Sequence, residues 1–66
     1  MNFRIKELRK AKRMSQDELS TKSGVSRTII SFLENGYDLD TKIGTLIKIA
    51  NALEVPLSAL FFAESV

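Results

Sequence analysis

The chain has 66 residues, a net charge of +2, 44% apolar and 27% charged residues, and neither cysteine nor histidine. That balance describes one small globular domain over residues 1–66, and the missing residue types rule out disulfides, Cys/His zinc sites and histidine acid–base chemistry. No apolar stretch approaches the roughly 20 residues of a membrane helix, and Met1-Asn2-Phe3-Arg4 opens no signal-peptide core, so a cytoplasmic setting without membrane contact is expected.

Charge is unevenly shared. Residues 1–36 carry eight Lys or Arg against four acids, and residues 37–66 carry two against four, giving halves of +4 and −2. An anion-binding face suits the front half, although a solvated basic helix would give the same count.

Five short helices are predicted, which makes the fold class all-α and compact. The first covers about residues 2–13, with Ile5, Leu8 and Ala11 on one side and Lys6, Arg9, Lys10 and Arg13 as a basic stripe on another. Ser15-Gln16-Asp17-Glu18 is a capping box that starts the second helix, and Gly24 stops it. Ser26 caps a third helix that runs to about Glu34 before Asn35-Gly36 ends it. Its apolar back is Ile29, Ile30 and Leu33, its polar face holds Arg27, Thr28 and Ser31, and Phe32 lies at the boundary. A fourth helix, from about Thr41 to Leu53 and capped by Asp40 or Thr41, places Ile43, Leu46, Ile47, Ala50 and Leu53 on one face. Gly44 inside it marks either a close backbone approach or simple tolerance. Pro56 suits only a helix start, so residues 57–62 are expected to form the fifth helix.

Two short helices joined by a tight glycine turn, about residues 15–34, have the layout of a DNA-binding helix-turn-helix, which ordinary αα-hairpins share. The residues carry more. Met14-Ser15-Gln16-Asp17-Glu18-Leu19-Ser20, then Gly24-Val25-Ser26, Ile30 and Leu33-Glu34-Asn35-Gly36 closely resemble the phage-repressor/Cro helix-turn-helix family, the XRE class. The resemblance continues through residues 46–53 and Val55-Pro56-Leu57, so it spans nearly the whole chain.

It implies a sequence-specific regulator, most simply a repressor, whose third helix enters the major groove of double-stranded operator DNA. By position, Arg27, Thr28, Ser31 and Phe32 would read base edges, with Arg27 suited to guanine O6 and N7. Phe32 has two readings, against a thymine methyl or laterally against the second helix. Ser15, Gln16, Ser26, Asn35, Tyr37 and Lys42 would approach phosphates, and Gln16 would also brace the first reading side chain. Arg9 and Glu34 match a family pair that bridges the first helix to the end of the third, which makes Arg9 scaffold rather than a DNA contact. Lys6, Lys10 and Arg13 would add long-range attraction only.

Three features depart from the family pattern. Asp38 and Asp40 stand in the loop after Gly36, which is also one residue longer than the commonest spacing; Ser20 replaces a usual alanine or glycine; and Gly44 interrupts the fourth helix.

A homodimer on a palindromic operator is expected, because one recognition helix covers few base pairs. The fourth and fifth helices, about residues 41–62, would complete the core and form the interface. Leu57 and Leu60 would finish the core, leaving Phe61, Phe62 and Val66 as surplus apolar surface, with Leu57 at the edge of the same interface; alternatively Phe61 completes the core and Phe62 alone is exposed. No enzyme activity, cofactor, metal or small-molecule ligand is expected. A restriction–modification controller, and an antitoxin or adaptor whose aromatic end binds a partner protein, are the rival readings.

Overall fold

The computed structural model describes residues 3–36 and 42–61. Among these, four α-helices follow in order: α1 (Ile5–Ala11), α2 (Gln16–Ser23), α3 (Arg27–Glu34) and α4 (Ile43–Ala52), with one 3₁₀ turn at Leu57–Leu60. The all-helical class agrees with the sequence reading, but the expected fifth helix is only this turn. Leu60 is buried at its end, and Phe61 then turns extended. In that conformation Phe61 bridges antiparallel to Phe3, and their rings sit 5.5 Å apart between centroids. The Arg4 N–H donates to the Leu60 carbonyl at 2.7 Å, so the backbone before α1 is tied to the backbone after the turn. Continuing a helix through Phe61 would break that tie.

The helix starts follow local chemistry. Ser15 Oγ accepts from the Glu18 amide at 3.0 Å while Glu18 Oε1 accepts from the Ser15 amide at 3.4 Å, completing the capping box. Ser26 Oγ accepts from the Ile29 amide at 3.2 Å. The fourth helix begins later than expected, with Lys42 as its N-cap and no side-chain cap bond. Asp40 and Thr41, proposed as its caps, lie outside the described residues.

Helix ends were less legible. Gly24 closes α2 at φ 74°, where its missing Cβ removes the left-handed penalty. At the ends of α1 and α4 the same conformation is carried by Arg13 (φ 55°) and Glu54 (φ 58°). Met14 N–H reaches the Arg9 carbonyl and Arg13 N–H that of Lys10; Val55 and Glu54 repeat the pattern on Ala50 and Asn51. Both are Schellman closures, each built on a residue that carries a side chain.

One cluster of buried side chains draws on every element, with Ile5, Leu19, Ile30, Leu33, Ile49, Leu53 and Leu60 fully enclosed. Helix α2 packs against both α3 and α4, α1 against α3, and α4 against the 3₁₀ turn. The buried arc of α4 is rotated toward Ile49, which joins Leu46, Ala50 and Leu53. Ile43 and Ile47, expected on the core face, are left 57% and 43% exposed on its flank. Ile29 is likewise exposed although it shares the apolar sector of α3, and Ala11 is exposed on α1.

The expected bond between α1 and α3 sits at the junction of three helices. Arg9 Nε donates to Glu34 Oε2 at 2.8 Å and Nη2 donates to Oε1 at 3.0 Å, a two-pronged pair with side chains only 11% and 2% exposed. Arg9 Nη1 also donates to the Met14 carbonyl at 2.7 Å, and Gln16 Nε2 donates to Glu34 Oε1 at 3.1 Å. The hydrogen bond to Glu34, set against partial burial, holds the Arg9 pKa above its ordinary value. The guanidinium is therefore charged at any working pH.

Two stability measurements test this account. Glu34→Ala leaves a buried guanidinium without its carboxylate and is expected to cost about 3–5 kcal/mol in urea unfolding, whereas the Arg9→Met/Glu34→Leu double variant recovers most of that loss. A double variant as unstable as the single one would show that the charges themselves are required. At the strained or open positions, Glu54→Gly is expected to stabilise by about 0.5–1 kcal/mol by relieving left-handed strain. Gly44→Ala is expected to gain up to about 1 kcal/mol, because an added Cβ there meets nothing within 4 Å and simple tolerance is the reading that survives.

Candidate nucleic-acid interface

Helices α2 and α3 are joined by Gly24, Val25 and Ser26, and the turn is held by serines on both sides. Ser20 Oγ donates to the Val25 carbonyl at 2.7 Å, and the Val25 N–H donates to Ser23 Oγ at 3.1 Å. Both backbone groups of Val25 are thus satisfied while its side chain enters the core. Ser20, which departs from the family's usual alanine or glycine, thus has a specific bonding role in the turn.

This turn sets α3 with Ile30 and Leu33 inward and its other face outward. Arg27 and Thr28 are exposed in the first turn of α3, Ser31 is half-buried one turn on, and Phe32 is part-exposed beside it. With Gln16 at the start of α2 these four side chains line one open cleft of about 280 Å³. Residues from two helix N-termini therefore share one surface, where unpaired amides and helix dipoles favour anions.

The polar groups differ in what they can still offer. A carboxylate only accepts, so the bond from Gln16 to Glu34 fixes the amide with its NH₂ end inward and one N–H to spare. Ser15 and Ser26 use their hydroxyl oxygens as acceptors for caps, which leaves each hydroxyl proton to donate. Asn35 Nδ2 faces the Ser31 carbonyl at 2.9 Å and Ser31 Oγ at 3.4 Å, so a phosphate contact would require exchanging those bonds. Lys42 is exposed at the start of α4. Tyr37 lies outside the described residues.

Asp17 lies in the first turn of α2, where an acid suits the helix dipole. In the fold its Oδ1 stands 3.2 Å from Arg27 Nη1, with side chains 73% and 64% exposed. No spacing rule pairs residues ten apart on different helices; the crossing of α2 and α3 creates the contact. Lys6, Lys10 and Arg13 are exposed, while Arg4 is engaged with Glu7 at 3.2 Å.

At the other end, Leu57 and Phe61 are half-buried and packed against the core. Phe61 is thus engaged within the chain, its ring tilted 55° against that of Phe3, rather than wholly surplus. Phe62 and Val66 lie outside the described residues. Among the described residues, no helix is long and apolar enough to cross a membrane.

The sequence profile of the family described as helix-turn-helix matches residues 5–60. The chain is 38% identical over 61 residues to the HTH-type transcriptional regulator SlrR of Bacillus subtilis (strain 168), covering 92% of this chain and 40% of SlrR. It is 36% identical over 58 residues to the HTH-type transcriptional repressor RghR of the same organism, covering 88% of this chain and 43% of RghR. The chain therefore spans about two-fifths of the length of these curated relatives. Its fold is similar to the crystal structure of the restriction-modification controller protein C.AhdI from Aeromonas hydrophila, with a TM-score of 0.81 and 34% identity over 88% of this chain and 86% of that one. With the profile matched across α1 to the 3₁₀ turn, the chain belongs to the helix-turn-helix family, a family of DNA-binding transcription regulators rather than of enzymes.

Proposed function

We propose that this chain binds a specific operator in double-stranded DNA as a homodimer, with α2 and α3 as its helix-turn-helix and α3 as the helix that reads the major groove. One observation carries the reading: Arg27, Thr28, Ser31 and Phe32, along the first two turns of α3, line a single open cleft with Gln16 at the start of α2. Arg27 reads guanine through its guanidinium fork, a contact worth about 1–3 kcal/mol of discrimination. Its exposed pair with Asp17 engages Nη1 alone and is of the kind that contributes only about 0–1 kcal/mol, so it does not withhold the guanidinium from DNA. Thr28 and Ser31 supply further polar contacts and Phe32 offers apolar surface to a thymine methyl. The spare protons of Ser15, Gln16 and Ser26 serve phosphates, with Lys42 and Tyr37 approaching the next stretch of backbone. Asn35 joins them once its bonds to Ser31 exchange.

A repressor role is supported by the likeness to RghR, an HTH-type transcriptional repressor. The second reading, a restriction–modification controller, is favoured by the likeness to C.AhdI. Reporter fusions carrying the operator upstream and downstream of a promoter separate the two, since a controller activates from one placement. For the dimer, the remaining surface of Leu57 and Phe61, with Phe62 and Val66 adjoining in sequence, is the apolar area assigned to the two-fold interface.

Selection of binding sites from a random duplex pool is expected to recover a palindrome with half-sites about one helical turn apart. Arg27→Ala is expected to flatten base preference at one or two positions of each half-site while leaving the others; uniform weakening would make Arg27 a phosphate contact instead. Sedimentation of the wild-type chain is expected to show a dimer that Phe62→Asp converts to monomer. If Ile47→Asp alone does so, the interface lies on α4.

A further inference from the structure

We infer that Asp17 is a specificity-determining residue that acts through Arg27, holding the guanidinium at the cleft and keeping it from settling on phosphate. The inference rests on the operator-binding reading above. Asp17 Oδ1 and Arg27 Nη1 are 3.2 Å apart across the junction of α2 and α3, on the rim of the surface given to DNA. A carboxylate there is unexpected, because it repels the polyanion that the rest of the surface attracts. Local structure does not require it. Helix α2 already has Ser15 and Glu18 as a complete capping box, and Glu18 supplies an acid in the same first turn. The pair is well solvated, which leaves it little part in stability.

Its effect is on competing DNA contacts. On the wrong sequence, the nearest anion for an exposed arginine is a phosphate, and binding there releases a counterion whatever the bases are. Asp17 opposes that contact, since any phosphate drawn to the guanidinium also comes close to the carboxylate. Guanine O6 and N7 are neutral acceptors and bring no such repulsion. Two guanidinium edges also suffice for both partners: Nη1 stays on Asp17 while the fork's other donors face the base. Discrimination then comes partly from weakening the wrong complex rather than from strengthening the right one.

The test compares binding of the full chain to the operator recovered by pool selection with binding to a scrambled duplex of the same length, over about 50 to 200 mM salt. Asp17→Asn keeps the side-chain shape and, at an exposed position, leaves the thermal midpoint within a few degrees of wild type. It is expected to raise affinity for the scrambled duplex by about 3- to 10-fold and to steepen the log–log salt dependence by about 0.9, the value of one added phosphate contact. Operator affinity should move by less than about twofold, so the specificity ratio falls; in an Arg27→Ala background the same substitution should change neither ratio nor slope. An unchanged ratio in Asp17→Asn, or an equal change with and without Arg27, overturns the assignment. If the wild-type chain enriches no operator, the DNA-reading proposal fails and takes this one with it. An enriched operator with an unmoved ratio removes only the role of Asp17.

Discussion

The Glu34 carboxylate is the constraint on which the rest of this fold depends. It sits at the end of α3, almost wholly enclosed, and receives two donors from Arg9 on α1 and one from Gln16 at the start of α2. Taking such a charge out of water is costly unless its lone pairs are met, and here three bonds meet them. The third arm of Arg9 reaches the Met14 carbonyl, in the segment where α1 gives way to α2. A single ionic cluster thus fixes the relative placement of three helices. Because Gln16 belongs both to this cluster and to the outward cleft, the scaffold and the reading surface share a residue.

A small domain gains little from additional core, so polar bonds at junctions carry much of its geometric definition. The serines illustrate this. Ser15 and Ser26 close helix starts, and Ser20 and Ser23 hold the two backbone groups of Val25 in the turn between α2 and α3. Each bond is modest, yet together they set the angle at which α3 meets its surroundings. The apolar contribution is a single cluster in which the bridge between Phe3 and Phe61 covers one end. Charge then differentiates the surface: Arg9 is internal, Arg4 is turned to Glu7, and Arg27 is exposed beside Asp17.

Much of the site was legible along the chain, and for identifiable reasons. Caps act over three residues, so Ser15 with Glu18, and Ser26, could be read directly. The inward position of Ile30 and Leu33 followed from helical periodicity. The Arg9 pairing with Glu34, by contrast, came from family resemblance, since nothing local links residues 25 apart. Where apolar residues outnumber the available core, periodicity was insufficient. Ile43 and Ile47 share a sector of α4 with Leu46 and Ala50, and only the neighbouring helix decides which side of that sector is covered.

The sequence by itself determined the all-helical class, the starts of α2 and α3, the turn at Gly24 and the family, because each is written in short-range chemistry or in a long run of matched residues. Tertiary structure alone decided that residues 57–60 form a 3₁₀ turn, that Phe61 is spent on Phe3, and that left-handed closures fall on Arg13 and Glu54. It also decided that Ser20 bonds the turn and that Asp17 meets Arg27. The Phe3–Phe61 and Asp17–Arg27 contacts join residues whose separation along the chain carries no period, and they exist only once α2 has met α3 and the two ends of the fold have met. The closures at Arg13 and Glu54 and the bond from Ser20 are local, but no residue type at those positions announces them.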